Sequence, residues 1–384
     1  MIAASPHLYR QQAAQLGISP QIVEYAIAQS AAPEKQKLPG ILTLRHLAHL
    51  SGADYTYLRK ITTRRHDAYR LFNVQKRSGG HRLIAAPEPH LAAIQRWIVD
   101  KILLERSASS SSFAYSRGSS PLRCAKLHLG AKWLIKIDIH DFFESISERR
   151  AYFVFRDCGY QPLVAFELAR ICTRVSSGDS ANDERWHVNL KRQSNGLLDY
   201  RNEKMGHLPQ GAPTSPLLSN LVSITLDEMI VKLATKYKLS YTRYSDDLTF
   251  STGDSFTHVA AQDFLREVER ILLTFGHAVH RKKTKISPPG ARKIVLGLLV
   301  DGDHLKLPLN VRKRISDHVR GIEKFGISKH AASRHFISLW GMIRHIKGLL
   351  TYARSVDAKF AGPLEIRLTK ALEQQSWPQK VISA

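Results

Sequence analysis

The sequence predicts an α+β fold in which β-hairpins are interspersed with helices. Two segments, Tyr69–Pro87 and Tyr241–Ser251, each hold two β-prone runs about a short turn, which is typical of a hairpin. A third apolar run, Trp133–Ile139, is typical of a buried strand. After the first hairpin, four apolar residues recur at helical spacing: Leu91, Ile94, Ile98 and Ile102.

The charge balance is strongly basic. The 384 residues hold 57 Lys and Arg against 33 Asp and Glu, a formal net charge of +24. From Gly276 to Lys293 there are six Lys or Arg and no acidic residue. Each Lys or Arg docked on a phosphate releases condensed counterions, so this excess favours a nucleic acid partner. The alternative is a charged surface that serves only solubility.

Cysteine usage and hydropathy indicate the compartment. The three cysteines, Cys124, Cys158 and Cys172, form no Cys-x-x-Cys pair, so neither a disulfide framework nor a zinc knuckle is expected. The N-terminus lacks an apolar signal core, and no run approaches the ~18–20 apolar residues that span a bilayer. We therefore expect a cytoplasmic protein with no membrane partner.

Three regions are expected along the chain. Residues 1–66 form a basic helical extension, residues 67–302 hold the strand-like segments, and residues 303–384 form a basic helical tail. The segment Ser107–Ser120, with eight serines, and the polar segment 176–206 are expected to be loops.

Further elements are expected between these segments. A helix should follow the strand Trp133–Ile139 with Asp141 as its N-cap, and an amphipathic helix should begin near Ser215. A helix near residues 257–275 and strands around residues 293–307 complete the expected order.

Two adjacent carboxylates stand in the second hairpin, in the stretch YTRYSDDLTFS. Side chains alternate faces along a strand, so Asp246 and Asp247 can aim at a common point only from the tip of the hairpin. A third acid, Asp138, lies at the end of the strand Trp133–Ile139. Converging carboxylates in a basic protein suit two Mg²⁺ ions, since hard cations take oxygen ligands. The alternative is a solvated turn, a common use of Asp.

Seven blocks of the sequence resemble the successive motifs of reverse transcriptases. They span roughly residues 70–300 and read, in order, HRLIAAP…IQRWI, SFAYSRGSS, WLIKIDIHDFF, LPQGAPTSPLLSNL, YTRYSDDLTFS, HRKKTKI and VLGLLVD. The resemblance implies a right-hand polymerase, in which residues 67–302 are fingers and palm with an antiparallel palm sheet flanked by helices. Residues 303–384 would be a small helical thumb that binds RNA.

The resemblance also implies the metal ligands. Asp138, Asp246 and Asp247 would be the catalytic ligands of two Mg²⁺ ions, with help from the backbone carbonyl of Ile139. Mn²⁺ is an alternative ion. The substrates would be dNTPs paired to an RNA template.

Further residues match the nucleotide site of the family. Phe143, five residues after Asp138, falls where the family places an aromatic steric gate that favours dNTPs over rNTPs; the alternative is core packing beside Phe142. Gln210 and Gly211 fit the turn that lines the nucleotide and template pocket, where glycine lets backbone approach a base closely.

Three basic residues are predicted to contact the phosphates of the nucleotide. Arg82 and Arg117 are candidates for the triphosphate, since guanidinium groups match phosphate oxygens; the alternative for either is the template backbone. Lys283 is the candidate near the leaving pyrophosphate, with Lys282 and Lys285 as rivals.

Within the family, the chain is most similar to the bacterial retron class. An Asn-Ala-x-x-His element of that class stands here as residues 124–128, with Cys124 in place of Asn. A Val-Thr-Gly element stands as residues 295–297, with Leu296 in place of Thr. Each element departs from the class at one residue, which leaves the polymerase chemistry untouched but bears on priming.

The retron resemblance implies specific partners. Such an enzyme copies part of a cognate structured noncoding RNA into single-stranded DNA (msDNA), primed from a guanosine 2′-OH, and works with a separately encoded effector protein in anti-phage defence. RNA contact is expected from His128, for which a structural histidine is the alternative. RNA contact is also expected from four residues of the thumb: Arg312, Lys313, Arg314 and Arg320.

Two other readings stay open. The chain could be another bacterial reverse transcriptase, of the abortive-infection or group II intron type. It could also be an RNA-binding scaffold that holds an effector protein inactive, with incidental polymerase activity. The complete set of three acids argues against lost activity, but not against a dual role.

Overall fold

Helices and short antiparallel strands follow one another along the chain. The computed structural model describes residues 6–76, 79–175, 200, 204–253 and 256–378. The elements in chain order are α1 (Pro6–Gln15), α2 (Pro20–Lys35), α3 (Leu44–Ser51), α4 (Tyr55–Thr62), β1 (Tyr69–Gln75), β2 (His81–Pro87), α5 (Pro89–Lys101), α6 (Pro121–Lys126), β3 (Trp133–His140), α7 (Glu148–Asp157), α8 (Pro162–Cys172), α9 (Ser215–Val222), α10 (Ile224–Lys236), β4 (Ser240–Tyr244), β5 (Asp247–Thr252), α11 (His258–Thr274), β6 (Ala278–Val279), β7 (Lys285–Ser287), β8 (Ile294–Val295), β9 (Leu298–Leu299), α12 (Leu309–Phe325), α13 (Ile327–Ser333), α14 (Leu339–Val356) and α15 (Ala358–Gln374).

The central sheet is antiparallel, which confirms the predicted α+β class. Its strand order is β4-β5-β3-β6, and β7 also pairs with β3. Both predicted hairpins are present, β1–β2 as a separate two-stranded sheet and β4–β5 at the edge of the central one. In the β3–β5 register, Asp138 stands opposite Asp247.

Strand β3 separates two environments because its side chains alternate faces. Ile135 and Ile137 are buried in a first hydrophobic core. Leu134, on the other face, is buried in a second core. Lys136 and Asp138 share the face of Leu134 and are only partly buried. The charged end of β3 thus lies beside the second core and opens to solvent.

The two cores do not follow the expected regional boundaries at every point. The first core combines the central sheet with α3–α5 and α7–α11, so α3 and α4 of the N-terminal region pack with the region that holds the sheet. The second core is built from α12–α15 and the β8–β9 hairpin. The buried apolar side chains between residues 295 and 307 therefore pack with α12–α15.

Two helices differ from the prediction. The expected N-cap at Asp141 is wrong, because no helix begins there: residues 141–145 form turns, with φ +45° at Asp141, and α7 begins only at Glu148 with Ser147 as its cap. The helix predicted from Ser215 begins there but is interrupted at Ser223, so that α9 and α10 follow each other.

Two further expectations concern the loop 176–206 and membrane-spanning segments. Most of the expected loop 176–206 lies outside the described part of the chain. Within the described ranges, no helix combines the length and apolar composition that a bilayer span requires.

Candidate active site

The turn between β4 and β5 brings the predicted acids together. Ser245, the first residue of this turn, has a left-handed backbone with φ +60°, Asp246 follows it, and Asp247 begins β5. The backbone N–H of Ile139 donates to the Asp246 carbonyl at 2.9 Å, which joins the turn to β3. Asp138 stands opposite Asp247 in the sheet register. The three acids therefore lie at one end of the sheet.

Two lysines bind these carboxylates. Lys283 Nζ lies 2.9 and 3.1 Å from the two carboxylate oxygens of Asp138. Lys136 Nζ lies 2.7 Å from Asp247 Oδ2. Lys136 was not predicted, although its place two residues before Asp138 on a strand puts both side chains on one face. The acids thus meet cations supplied by the protein itself.

Burial and mutual repulsion raise the pKa of both turn acids. For Asp246, burial is the larger cause, and the negative charge of Asp138 adds to it. For Asp247, burial also raises the pKa, while Lys136 opposes the shift. A cation bound among these groups would stabilise their ionised forms.

The donor set fits a hard divalent cation. The carboxylates of Asp138, Asp246 and Asp247 and the carbonyl of Ile139 are all oxygen ligands, the class that Mg²⁺ prefers. Within the described ranges, no three His, Cys, Asp or Glu side chains already stand at metal-binding geometry. Lysines hold two of the three carboxylates, so a metal ion bound here would compete with Lys283 for Asp138 and with Lys136 for Asp247.

A cavity of about 260 Å³, the candidate catalytic cavity, opens beside the turn of Ser245 and Asp246 between β4 and β5, the candidate catalytic turn. Seven of the predicted site residues line it: Arg82, Asp138, Ile139, Phe143, Gln210, Asp246 and Lys283. Lys76, at the end of β1, also lines it and was not predicted. The lining therefore combines the predicted metal ligands with the basic groups that a nucleoside triphosphate requires.

Glu144 is a further unpredicted residue of this cavity. Burial raises its pKa to about 7, and the charge of Asp141 adds to the shift, while Arg82 and Lys76 lower it. A substantial fraction of this carboxyl is therefore protonated at neutral pH.

The Gln210–Gly211 turn packs against strand β2. The backbone N–H of Ala85 donates to the Gln210 carbonyl at 2.8 Å. Gly211 has φ +122°, and a Cβ at this position would lie 2.9 Å from Ala85 O and from Ile84 Cγ2. Only glycine fits such an approach. In the structure, the contact that requires glycine is therefore with β2.

Tyr115 enters the catalytic cavity from the serine-rich segment. Its hydroxyl donates to Ser245 Oγ at 2.8 Å, and its ring centroid lies 6.4 Å from that of Phe143. Phe143 also contacts Phe142, with centroids 5.7 Å apart. Phe143 therefore both packs beside the core and lines the cavity, and its role as a gate stays a prediction. An aromatic residue within a polar loop was the sequence signal for Tyr115.

A buried ion pair supports the turn on the core side. Arg243 of β4 and Asp227 of α10 have fully buried side chains and form two hydrogen bonds of 2.8 and 2.7 Å. The Tyr241 hydroxyl also donates to Asp227, at 2.8 Å. Arg243 Nη1 donates to the Asn220 side chain at 3.1 Å and to the Ser245 carbonyl at 3.3 Å. Sequence reasoning missed this pair, although a charged residue inside YTRY was its signal.

His128 is enclosed beside β4 and β5. It is 1% exposed, and its two ring nitrogens lie 2.7 Å from Ser251 Oγ and 2.8 Å from Thr242 Oγ1. The thiol of Cys124 donates to the same Thr242 oxygen at 3.2 Å. Burial, and then the charge of Lys136, lowers the pKa of His128 to about 4. An enclosed ring offers RNA no surface, which corrects the predicted RNA contact and favours the structural role.

The second retron-like element forms the turn of the β8–β9 hairpin. Leu296 and Gly297 have φ +48° and +82°, the pair of left-handed residues that a tight hairpin turn requires. Val295 and Leu298, on either side, are buried in the second core. This element therefore packs in the second core.

The basic residues predicted for RNA lie on α12. Lys313, Arg314 and Arg320 are exposed, while Arg312 is partly buried with its guanidinium 4.4 Å from the centroid of the Phe360 ring. The three exposed side chains are free to contact a polyanion. Their role in RNA binding stays a prediction.

Arg117 lies apart from the other predicted nucleotide residues. It is absent from the described lining of the catalytic cavity and instead lines a second cavity beside the serine-rich segment. The structure thus brings Arg82 and Lys283, but not Arg117 or Asp247, into one cavity with Asp138 and Asp246.

Comparison with known proteins identifies the family. The family described as reverse transcriptase (RNA-dependent DNA polymerase) matches residues 74–300. The retron Ec86 reverse transcriptase of Escherichia coli is 31% identical over 293 residues, which cover 76% of this chain and 77% of that protein. The retron Mx65 reverse transcriptase of Myxococcus xanthus is 35% identical over 301 residues, 78% of this chain and 64% of that protein.

Solved structures overlap only partly. A telomerase from Candida albicans, in complex with a fragment of telomeric RNA, is 12% identical with a TM-score of 0.39, covering 80% of this chain and 61% of that chain. The family model, in contrast, covers more than half of the chain, and the similarity to the Escherichia coli protein extends over 76% of it. The chain therefore belongs to the reverse transcriptases, RNA-directed DNA polymerases, and within them to the retron group.

Proposed function

We propose that the chain copies part of a cognate structured noncoding RNA into single-stranded DNA, the msDNA. The reaction class follows from the family, and the template and product are the proposal. The main support is that Asp138 and Asp246 line one cavity together with Arg82 and Lys283. Similarity to retron reverse transcriptases over about three quarters of the chain supports a retron-type template.

We further propose that synthesis starts from a guanosine 2′-OH of the same RNA. The support is the similarity to retron reverse transcriptases, while each of the two retron-like elements carries one substitution. Cys124 donates to Thr242 beneath the sheet, and Leu296 holds the β8–β9 turn. Both substituted residues thus have defined local contacts or backbone roles in this chain, and the priming nucleotide is part of the proposal.

Two Mg²⁺ ions are the proposed cofactors, with Mn²⁺ as an alternative. Asp138, Asp246, Asp247 and the Ile139 carbonyl would hold them. When bound, the ions would neutralise phosphate charge and favour the ionised form of the attacking hydroxyl.

The chain's own residues position the nucleotide. Arg82 and Lys283 would bind the triphosphate, since both line the cavity with the acids. Gln210, held to β2 through Ala85, would lie against the template-paired base. Phe143 would face the sugar. Positioning and charge neutralisation then supply most of the catalysis.

The metal-site assignment is tested by primer extension on an RNA template with dNTPs and Mg²⁺. Asp246→Asn/Asp247→Asn should abolish extension while thermal unfolding stays cooperative. Asp263→Asn, on the exposed face of α11, is the matched control and should retain activity. Extension by the double variant at the wild-type rate would overturn the assignment.

The template and primer are tested on nucleic acid that copurifies with the chain, sequenced after RNase and debranching treatment. DNA joined to RNA through a 2′–5′ linkage is expected. Unbranched DNA would contradict the priming proposal and favour another type of bacterial reverse transcriptase. Structured RNA without any DNA would favour the scaffold alternative.

We also propose that the chain acts in the cytoplasm with a separately encoded effector in anti-phage defence. The support is the retron similarity, together with exposed basic residues of α12 that suit an RNA partner. Cells that carry the complete locus should resist phage, and Asp246→Asn/Asp247→Asn should alter that resistance. Equal plating efficiency with and without the locus, across a phage panel, would contradict the proposal.

A further inference from the structure

The serine-rich segment Ser107–Ser120 has a second side that the polymerase reaction does not use. Tyr115 enters the catalytic cavity, but most of the segment lines a separate cavity of about 440 Å³. We infer that this second cavity binds a backbone phosphate of the nucleic acid strand that the enzyme engages. The inference rests on the proposed polymerase function.

The charge of the second cavity suits a phosphodiester. Arg106, Arg117 and Arg123 line it, and no Asp or Glu is among its described lining residues. Arg106 is partly buried and donates to the Gln36 side chain, while Arg123 donates to the Gly118 carbonyl at 2.6 Å. Each of these two guanidinium groups is thus oriented by one bond and keeps further donors.

Serine hydroxyls add neutral donors to these cations. Six serines line the cavity: Ser107, Ser109, Ser110, Ser112, Ser116 and Ser119. Three of them, Ser107, Ser110 and Ser119, make no hydrogen bond through the hydroxyl to any part of the chain that the structure describes. Arginine and serine are side chains that contact phosphate oxygens in nucleic acid complexes. Phosphate binding would thus account for the many serines of the segment, which the catalytic cavity does not explain.

The segment is held rigidly in this arrangement. The Asn220 side chain donates to the Ala114 carbonyl at 2.7 Å and accepts from Ser112 Oγ at 2.9 Å. The backbone N–H of Arg243 donates to the Ser111 carbonyl at 2.8 Å. Because side-chain and backbone bonds fix the position of the segment, the ordering required on binding is limited.

The site differs in chemistry from a triphosphate site. A nucleoside triphosphate enters a polymerase with metal ions, and carboxylates hold those ions. The second cavity has arginines and hydroxyls but no carboxylate among its described lining residues, which suits a singly charged phosphodiester. The segment also forms a wall of the catalytic cavity through Tyr115, which stands two residues before Arg117 in the chain. Template RNA and product DNA both carry this chemistry.

The test compares strand binding with nucleotide use in the full chain. Fluorescence anisotropy with a labelled single-stranded RNA and a DNA of the same sequence, over a salt series, measures affinity. Arg117→Gln/Arg123→Gln should weaken binding by about 5- to 30-fold and lower the slope of log K against log salt by about 1 to 2. Arg266→Gln, exposed on α11, is the control and should match wild type.

Steady-state extension at saturating strand completes the test. The KM for dNTP should stay within about twofold of wild type in Arg117→Gln/Arg123→Gln. Arg82→Gln should instead raise that KM. Retained extension also shows that the variant is folded and that the polymerase function stands.

The outcomes are distinguishable. Loss of RNA binding alone assigns the phosphate to the template, loss of DNA binding alone assigns it to the product strand, and equal losses assign it to either backbone; each supports the site. Unchanged affinity and slope for both strands would overturn it. A raised KM for dNTP with normal strand binding would also overturn it, because that result would indicate that Arg117 contacts the triphosphate.

Discussion

The Tyr115 hydroxyl donates to Ser245 Oγ at 2.8 Å, and both residues have left-handed backbones, with φ +65° and +60°. Non-glycine residues in this region are strained, and such strain persists where the surroundings over-determine the conformation. One residue lies in the serine-rich segment and the other directly precedes Asp246. The bond therefore links a wall of the cavity to the catalytic turn.

We expect Tyr115→Phe and Ser245→Ala to lower kcat by similar factors, because each removes the same hydrogen bond. A bond of about 1 kcal/mol corresponds to roughly fivefold. The double variant should be no slower than either single variant, since the interaction is lost only once. Single-nucleotide extension measures kcat and KM, with the exposed Tyr25→Phe as control. Multiplying losses in the double variant would show that the two hydroxyls act separately.

Phe143→Ala should relax sugar discrimination. If the ring faces the 2′ position, its removal should raise rNTP incorporation relative to dNTP by about tenfold or more. The measurement is the ratio of kcat/KM for a matched rNTP and dNTP. Phe153→Ala, at an exposed position on α7, should leave the ratio unchanged. An unchanged ratio in Phe143→Ala would leave only the packing role beside Phe142.

Asp227→Asn should destabilise the chain because it leaves the Arg243 guanidinium charged, buried and without its ionic partner. Breaking a buried pair from one side costs about 3–5 kcal/mol. Urea unfolding of Asp227→Asn and of Asp263→Asn gives the comparison, since Asp263 pairs with Arg266 at the surface. The surface variant should lose less than about 1 kcal/mol. Equal losses in the two variants would show that the buried pair does not support the turn.

His128 should make stability depend on pH. Its pKa is about 4 in the folded chain against an ordinary 6.5, so between these values the unfolded state binds more protons. The stabilisation is complete above pH 6.5 and is lost as pH falls towards 4, by about 2 kcal/mol at pH 5. His128→Gln should remove this part of the acid destabilisation, measured by urea unfolding at pH 7.5 and 5. His7→Gln should behave as wild type, and an unchanged pH dependence in His128→Gln would refute the assignment.

Local patterns predicted much of the framework. The hairpins and the strand Trp133–His140 follow from β-prone runs and turn residues, and the carboxylates at the hairpin tip follow from the alternation of side chains. The prediction of a helix beginning at Asp141 was wrong, and no residue pattern in the sequence indicates the left-handed backbone found at Asp141. The N-terminal and thumb regions were recognised as helical, but their packing partners were not.

The sequence alone therefore determined which acids are available and which strands carry them. The tertiary structure decided what surrounds them: Lys136 on Asp247, Asp227 beneath Arg243, and β2 against Gly211. It also buries His128 and places Arg117 in a second cavity, apart from the acids. The physical reason is the sequence separation over which interactions act, because strand and turn preferences depend on neighbours along the chain. Burial, ion pairing and close backbone approach depend on segments that only the fold brings together.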